Sequence, residues 1–307
     1  MTQPRAAATS ARARLRDRAK ARGEDFQRVL VRYTLERLLY RLSVSEHAED
    51  FILKGAMLFA LWDDDLEHRP TKDVDLLGRG DPRPHRLAEV FRSVCAVVVD
   101  ADDGLDFDAE SVVAEEIRED AVYDGVRVVL RAYLGKAKIR VHVDVGYGDT
   151  VTPGPVRVTY PTLLDHPAPE LWAYPATTVV AEKLEALVTL GIANSRMKDF
   201  YDLAWCAEHL SFDGDELVAA VRATFQRRGT ALPNTIPVAL TSEFASDEAK
   251  LEQWAGFARK SQLADPAALG EVIQAVARFL LPVLEHASSR GSPGEWAPTG
   301  PWPGSES

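Results

Sequence analysis

The hydrophobic pattern changes along the chain, and this change limits the possible folds more than any other feature. Between residues 51 and 148, short apolar runs show the two-residue alternation that is typical of strands. From residue 178 onward, apolar residues recur every three or four positions, which is the period of amphipathic helices. The pattern therefore predicts an α+β chain, in which a small sheet with helices precedes a helical C-terminal domain.

The predicted elements follow from this pattern together with turn and capping residues. Helices are expected at 10–22, 25–42, 85–96, 178–190, 197–210, 214–227, 242–260 and 266–286. Strands are expected at 73–77, 121–123, 126–133 and 139–145. Asp124-Gly125 is a strong hairpin signal between two of these strands.

Four regions are predicted along the chain. They are N-terminal helices at 1–45, a core with the acidic strand at 46–165, a helical domain that completes the site at 166–287, and a tail at 288–307. The tail consists largely of Gly, Pro and Ser with two tryptophans, a composition that cannot form a core alone. We therefore predict a disordered tail.

Composition limits the function classes. The chain has 307 residues, of which 46% are hydrophobic, so it can bury a sizeable core. No run reaches the roughly 20 apolar residues of a membrane span, and the start lacks a signal peptide, which predicts a cytoplasmic protein. Cys95 and Cys206 lack CxxC spacing and are expected to be buried thiols. The net charge of -11 argues against a general nucleic-acid coat but leaves a local RNA contact open.

An acidic pair lies in the strand that begins at Asp73. Asp73 and Asp75 are two residues apart, so their side chains project from one face of a strand, about 6 to 7 Å apart along the backbone. Carboxylate oxygens suit Mg²⁺ or Mn²⁺, which assist in-line phosphoryl displacement. Asp144 interrupts an apolar strand, and we expect it either to face solvent or to have a partner such as a metal.

A small-residue pair, Gly55-Ala56, ends 17 residues before Asp73. A turn at this point would let backbone N–H groups approach a triphosphate. The alternative is a glycine tolerated inside a helix.

Several ordered sequence blocks resemble the AbiEii/AbiGii-type nucleotidyltransferase toxins of the polymerase-β superfamily, called MenT-type in mycobacteria. The blocks lie at 51–59, 71–76, 143–149, 181–186, 196–203, 225–230 and 254–257. The resemblance runs from about residue 10 to 285.

The resemblance implies a polymerase-β-like core with a small mixed sheet, an NTP donor and Mg²⁺ or Mn²⁺. It further implies the toxin of a type IV-like toxin–antitoxin system, with a cognate antitoxin and transfer of NMP to RNA, expected at the 3′ end of tRNA, so that translation stops. Two alternatives stay open. The acceptor could be a protein or small-molecule hydroxyl, or the chain could bind NTP or a partner without turnover.

The roles implied by the resemblance fall on six residues. They are Gly55 and Ala56 in the phosphate turn, Asp73 and Asp75 as the metal pair, Lys183 at the triphosphate, and Asp199 as a late catalytic aspartate. The family usually has Ser or Gly where this chain has Ala56, so a hydroxyl contact to phosphate is lost while backbone donors remain.

Other interpretations of these helical residues are possible. Lys183 could be a surface lysine whose stem packs on apolar neighbours. Lys198, Asp199 and Asp202 lie one helix turn apart, as in a solvated ion pair, and we favour Asp199 over Asp202 as the functional acid. His142 is expected to be structural.

Arg227-Arg228 also has two interpretations. The pair could bind an RNA phosphate in a bidentate manner. It could equally complement the dipole at a helix C-terminus that Gly229 caps.

Overall fold

In the computed structural model, the chain divides into two compact units. The first comprises Met1–Gly148 and Val156–Ala173, and the second comprises Asp149–Pro155 and Tyr174–Ser307. The N-terminal helices thus share a unit with the sheet, and residues 1–45 are not a unit of their own. The structure describes residues 6–63, 68–119, 123–263, 265–289 and 291–303.

Within the described residues, the first unit contains three α-helices and a seven-stranded sheet. The helices are α1 (Ala6–Arg22), α2 (Phe26–Ser43) and α3 (Pro84–Ala96), and the strands are β1 (Phe51–Lys54), β2 (Asp73–Gly78), β3 (Leu105–Glu119), β4 (Tyr123–Leu134), β5 (Ala137–Tyr147), β6 (Val156–Thr159) and β7 (Glu170–Ala173). The strand order is β3-β4-β5-β2-β1-β7-β6. Because β2 pairs parallel with β5, and β1 with β7, among otherwise antiparallel pairs, the predicted mixed sheet is confirmed.

The central strands separate apolar from acidic residues by simple alternation. Val74 and Leu76 on β2 are buried, and so is Val143 on β5. The intervening Asp73 and Asp75 are only partly buried. Since successive strand residues point to opposite faces, Val74 and Leu76 anchor the sheet on one face while Asp73 and Asp75 share the other.

The hairpin signal at Asp124-Gly125 is wrong as a turn position. Both residues belong to β4, which continues from Tyr123 to Leu134 and pairs antiparallel with β3. The connection between these strands falls on 120–122, outside the described residues. Asp124 pairs with β3, and Gly125 pairs with both β3 and β5, so tertiary context outweighs the local turn preference.

Four strands of the seven-stranded sheet were not predicted from the sequence pattern. They are β1, which lies in a continuous apolar segment, β3, whose many acidic residues hide its alternation, and the short strands β6 and β7 in the Pro-containing stretch. Backbone pairing in the sheet stabilises them, and a single-strand pattern does not reveal such pairing.

The described part of the second unit contains six α-helices and a short two-stranded ribbon. The elements are α4 (Ala176–Leu190), α5 (Met197–His209), β8 (Phe212–Asp213), α6 (Gly214–Arg228), α7 (Ser242–Ser246), α8 (Glu248–Ser261), α9 (Leu269–Ser288) and β9 (Glu295–Trp296). The helix expected at 242–260 is divided into α7 and α8, because Asp247 caps the second of these helices by accepting the Lys250 N–H.

The predicted disorder of the 288–307 tail is contradicted for its described part. Trp296 and Trp302 are each 2% exposed, and their indole N–H groups donate to the carbonyls of Ala207 and Phe279. The β9 strand also pairs with β8. The tail cannot build a core alone, but its tryptophans complete one that the helices have already formed.

Candidate active site

Asp73 and Asp75 lie at the start of β2, next to β5 in the sheet. The Asp73 side chain is 39% exposed, and its Oδ1 lies 3.2 Å from Nδ1 of His142, the residue directly opposite on β5. Asp75 is directly opposite Asp144 on the same strand pair. The sheet register thus places three acids and a histidine beside one another on neighbouring strands.

Gly55 fixes how β1 approaches Asp75. It follows Lys54, which is opposite Asp75 in the β1–β2 ladder, and its φ of +74° lies in the left-handed region. A Cβ atom at this position would overlap the carboxyl group and the Cβ of Asp75. A residue without a side chain is therefore required here by both the backbone angle and the space.

The turn after Gly55 is a 3₁₀-helix that spans Gly55–Leu61. Lys54 precedes it in an extended conformation, so Gly55 does not lie in an α-helix interior, and that alternative is wrong. Ala56 is the second residue of this turn and is partly buried. The turn matches the place expected for the phosphate turn, whereas a phosphate contact stays a prediction.

Asp144 has a protein partner. Arg127 on β4 is directly opposite it, and its Nε and Nη2 donate to Oδ1 and Oδ2 of Asp144 at 2.7 and 2.6 Å. This bidentate geometry is among the strongest that proteins form. Of the two options that the sequence left open, the structure favours a partner over solvent, and the partner is a guanidinium.

The acidic pair offers suitable ligands for a divalent cation. Asp73 and Asp75 present carboxylate oxygens from one face of β2, and such hard ligands suit Mg²⁺ or Mn²⁺. Among the residues that the structure describes, no group of three or more His, Cys, Asp or Glu side chains is arranged to hold a metal. A metal role for Asp144 therefore stays a prediction.

Lys183 lies in the second unit and is paired with two acids. Its Nζ is 2.5 Å from Oδ1 of Asp199 and 2.8 Å from Oδ2 of Asp202. The exposed fractions of the three side chains are 14%, 5% and 0%, respectively. Lys183 is therefore not a surface lysine, and the solvated ion pair with Lys198 is wrong, since Lys198 is exposed and both acids are bound to Lys183.

The two acids reach the same ammonium because they are three residues apart on α5, which places them on one helix face. The sequence favours Asp199 over Asp202 as the functional acid, but both carboxylates bind Nζ of Lys183 in the structure. The catalytic roles of Lys183 and Asp199 stay predictions.

Arg228 ends α6 and is surrounded by carboxylates. It lies 2.8 Å from Glu185, 3.4 Å from Asp149 and 3.6 Å from Glu182. Burial opposes its charge, but these acids outweigh burial and raise the pKa of Arg228. Gly229 caps the helix with a φ of 68°. The helix-end interpretation is confirmed, and Arg228 is used internally instead of being presented to an RNA phosphate.

Both cysteines are buried free thiols, as predicted. Burial raises the pKa of Cys95 to about 12 and also raises the pKa of Cys206, so neither is a reactive thiolate at neutral pH. In the part of the chain that the structure describes, no helix is both long and apolar enough to cross a membrane.

Comparison with known proteins gives one family. The model described as nucleotidyl transferase AbiEii toxin, type IV TA system, matches residues 37–280. No curated protein matches the sequence.

Two solved Helicobacter pylori structures are similar to the chain. One is described as a candidate nucleotidyltransferase and the other is JHP933. Each is 12% identical with a TM-score of 0.49, and each covers 86% of this chain together with 97% and 94%, respectively, of its own. A similarity of this degree supports no conclusion about substrate or mechanism.

Proposed function

Because the chain belongs to the AbiEii nucleotidyltransferase toxin family of type IV toxin–antitoxin systems, we propose that it transfers NMP from an NTP to the 3′ end of tRNA. A modified 3′ end cannot be aminoacylated, so translation stops. The family implies the NTP donor, a divalent metal and an antitoxin. The tRNA acceptor, Mg²⁺ or Mn²⁺ as the metal, and action in the cytoplasm are our proposals.

One observation supports this proposal above the others. Asp73 and Asp75 lie on one face of β2, and the turn at Gly55 packs so closely on Asp75 that no side chain fits between them. An acidic pair beside a tight backbone turn is an arrangement in which metal ligands and phosphate donors can meet.

In the proposed reaction, an acceptor hydroxyl attacks the α-phosphorus of the NTP. The hydroxyl releases its proton to solvent, a new O–P bond forms, the bond to the bridging oxygen of the β-phosphate breaks, and pyrophosphate leaves. A bound Mg²⁺ would neutralise the developing charge and lower the pKa of the attacking hydroxyl. Asp73 and Asp75 would hold this metal by their carboxylate oxygens.

Lys183 is the proposed contact to the triphosphate. Its ammonium is a compact charge that can bind phosphate oxygens. Asp199 and Asp202 both bind Nζ, which fixes its position within the second unit. We propose that Asp199 has a positioning role and that Asp202 shares it.

A transfer assay tests the proposal. Purified protein is incubated with each of the four α-³²P-labelled NTPs, Mg²⁺ and total tRNA, and the products are separated on a denaturing gel. We expect label in RNA with the wild-type protein and at least about 100-fold less with Asp75→Asn.

The matched control is Asp108→Asn. Asp108 is a partly buried strand residue of the same sheet, paired with Arg131 at 3.2 Å and remote in register from Asp75. It should label RNA as the wild type does. Label on protein or on a small molecule would show that the acceptor is not tRNA. Absence of label with every NTP and acceptor would refute the proposed transfer.

A further inference from the structure

Four charged residues form one row across the sheet of the first unit. Arg127 on β4 is opposite Asp144 on β5, Asp144 is opposite Asp75 on β2, and Asp75 is opposite Lys54 on β1. Directly opposed residues project to the same face of a sheet. The row therefore reads positive, negative, negative, positive along four adjacent strands.

The two acids at the centre of this row are flanked by a basic residue on each side. Neighbouring strands are about 4.8 Å apart, so Asp75 and Asp144 hold like charges at close range. Like charges directly opposite each other on neighbouring strands destabilise a sheet. Arg127 and Lys54 at the two ends of the row supply positive charge.

Arg127 engages both oxygens of Asp144. The hydrogen bonds measure 2.7 and 2.6 Å, and the Asp144 side chain is only 16% exposed. A planar guanidinium on both oxygens of a carboxylate occupies its most accessible lone pairs. A metal ion ligated directly by Asp144 would have to take at least one of these oxygens.

We infer that Arg127 and a divalent cation compete for the Asp144 carboxylate, so that Arg127 sets the metal affinity of this acidic row. The inference rests on the proposed function for the presence of a metal at Asp73 and Asp75. Arg127 acts through Asp144 and is therefore a positioning residue. With Arg127 in place, Asp144 is neutralised without metal, and metal binding at the row is weakened by the displacement of the guanidinium.

Calorimetric titration with Mn²⁺, without NTP or acceptor, tests this competition. We expect Arg127→Gln to lower the Mn²⁺ dissociation constant by roughly ten-fold or more, since a bidentate charge-assisted contact no longer opposes the metal. Arg131→Gln is the matched control, because Arg131 lies on the same strand, four residues further along, and pairs with Asp108 instead. It should leave Mn²⁺ binding unchanged.

A double-mutant cycle separates competition from a general effect of charge. In an Asp144→Asn background, Arg127→Gln should no longer tighten Mn²⁺ binding, because the contested carboxylate is absent. Equal tightening in both backgrounds would show only a long-range effect of one positive charge and would overturn the inference. Unchanged or weaker Mn²⁺ binding by Arg127→Gln would overturn it as well.

Two further variants keep the outcome decisive. Arg127→Lys retains the charge but loses the bidentate contact, so it should tighten Mn²⁺ binding by less than Arg127→Gln does. It also replaces Arg127→Gln if that variant does not fold, and an unchanged affinity would then overturn the inference. Asp75→Asn tests the proposed metal pair separately, since unchanged Mn²⁺ binding in that variant would refute the pair whatever Arg127 does.

Discussion

Replacement of Gly55 by alanine should destabilise the first unit by more than its backbone angle alone requires. A φ of +74° is unfavourable for alanine by about 1 to 2 kcal/mol. The new Cβ would also overlap Oδ2, Cγ and Cβ of Asp75. The carboxylate can rotate away, but the Asp75 Cβ is attached to β2, so the two strands must shift. Overpacking of this kind typically adds about 1 to 3 kcal/mol.

The total expected loss is therefore about 2 to 5 kcal/mol in the free energy of unfolding. Gly80→Ala is the matched control, because Gly80 has a φ of +87° in the same unit, and an added Cβ would have no heavy atom within 4 Å. Its loss should be about 1 to 2 kcal/mol. Urea denaturation measures both variants, and the difference between them isolates the overlap with Asp75.

Equal losses for Gly55→Ala and Gly80→Ala would refute the close approach between the turn and Asp75. If Gly55→Ala folds, it should also lower nucleotide transfer, because Asp75 can no longer occupy its present position. Full transfer activity in a folded Gly55→Ala protein would show that this position is not needed for the reaction.

Three further predictions concern stability. Trp302→Ala should lower the free energy of unfolding by about 3 to 5 kcal/mol, since the side chain is 2% exposed. An unchanged free energy of unfolding in urea denaturation would show that the tail does not contribute to the core. Burial raises the pKa of Glu36 from 4.5 to about 7. Its contribution to stability is thus present below pH 4.5 and is lost as pH rises through 7. Between pH 4.5 and 8, the free energy of unfolding of the wild type should therefore fall by about 3 kcal/mol relative to that of Glu36→Gln. Parallel pH profiles of the two proteins would contradict this. Lys183→Met should lower the free energy of unfolding by about 3 to 5 kcal/mol, because it leaves Asp199 and Asp202 without their ammonium partner. In the same urea assay, adding Asp199→Asn and Asp202→Asn should restore much of this loss.

Alternation and helical period predicted much of the local structure. The acidic strand, observed as Asp73–Gly78, was expected at 73–77, and helix α6, observed as Gly214–Arg228, was expected at 214–227. These features depend on residues near one another in the chain, so their physical causes are visible in short windows of sequence. The two buried cysteines belong to the same class.

The partner of Asp144 was missed although a signal for it exists. A two-residue turn at Gly135-Lys136 joins β4 to β5, and the ladder that starts there pairs Arg127 with Asp144. The stronger Asp124-Gly125 signal drew the prediction away from this turn. Had the hairpin been placed at Gly135, counting back along both strands would have found Arg127.

The chemistry of individual residues and the periods of their elements are properties of the sequence alone, and they predicted the mixed α and β content and the acidic pair. Only the tertiary structure decided which charges meet. Lys183 pairs with the buried acids Asp199 and Asp202, and Arg127 pairs with Asp144. A tail that cannot form its own core is held by the buried side chains of Trp296 and Trp302. Such contacts join residues distant in the chain, and their energies depend on burial and mutual distance, which exist only after folding.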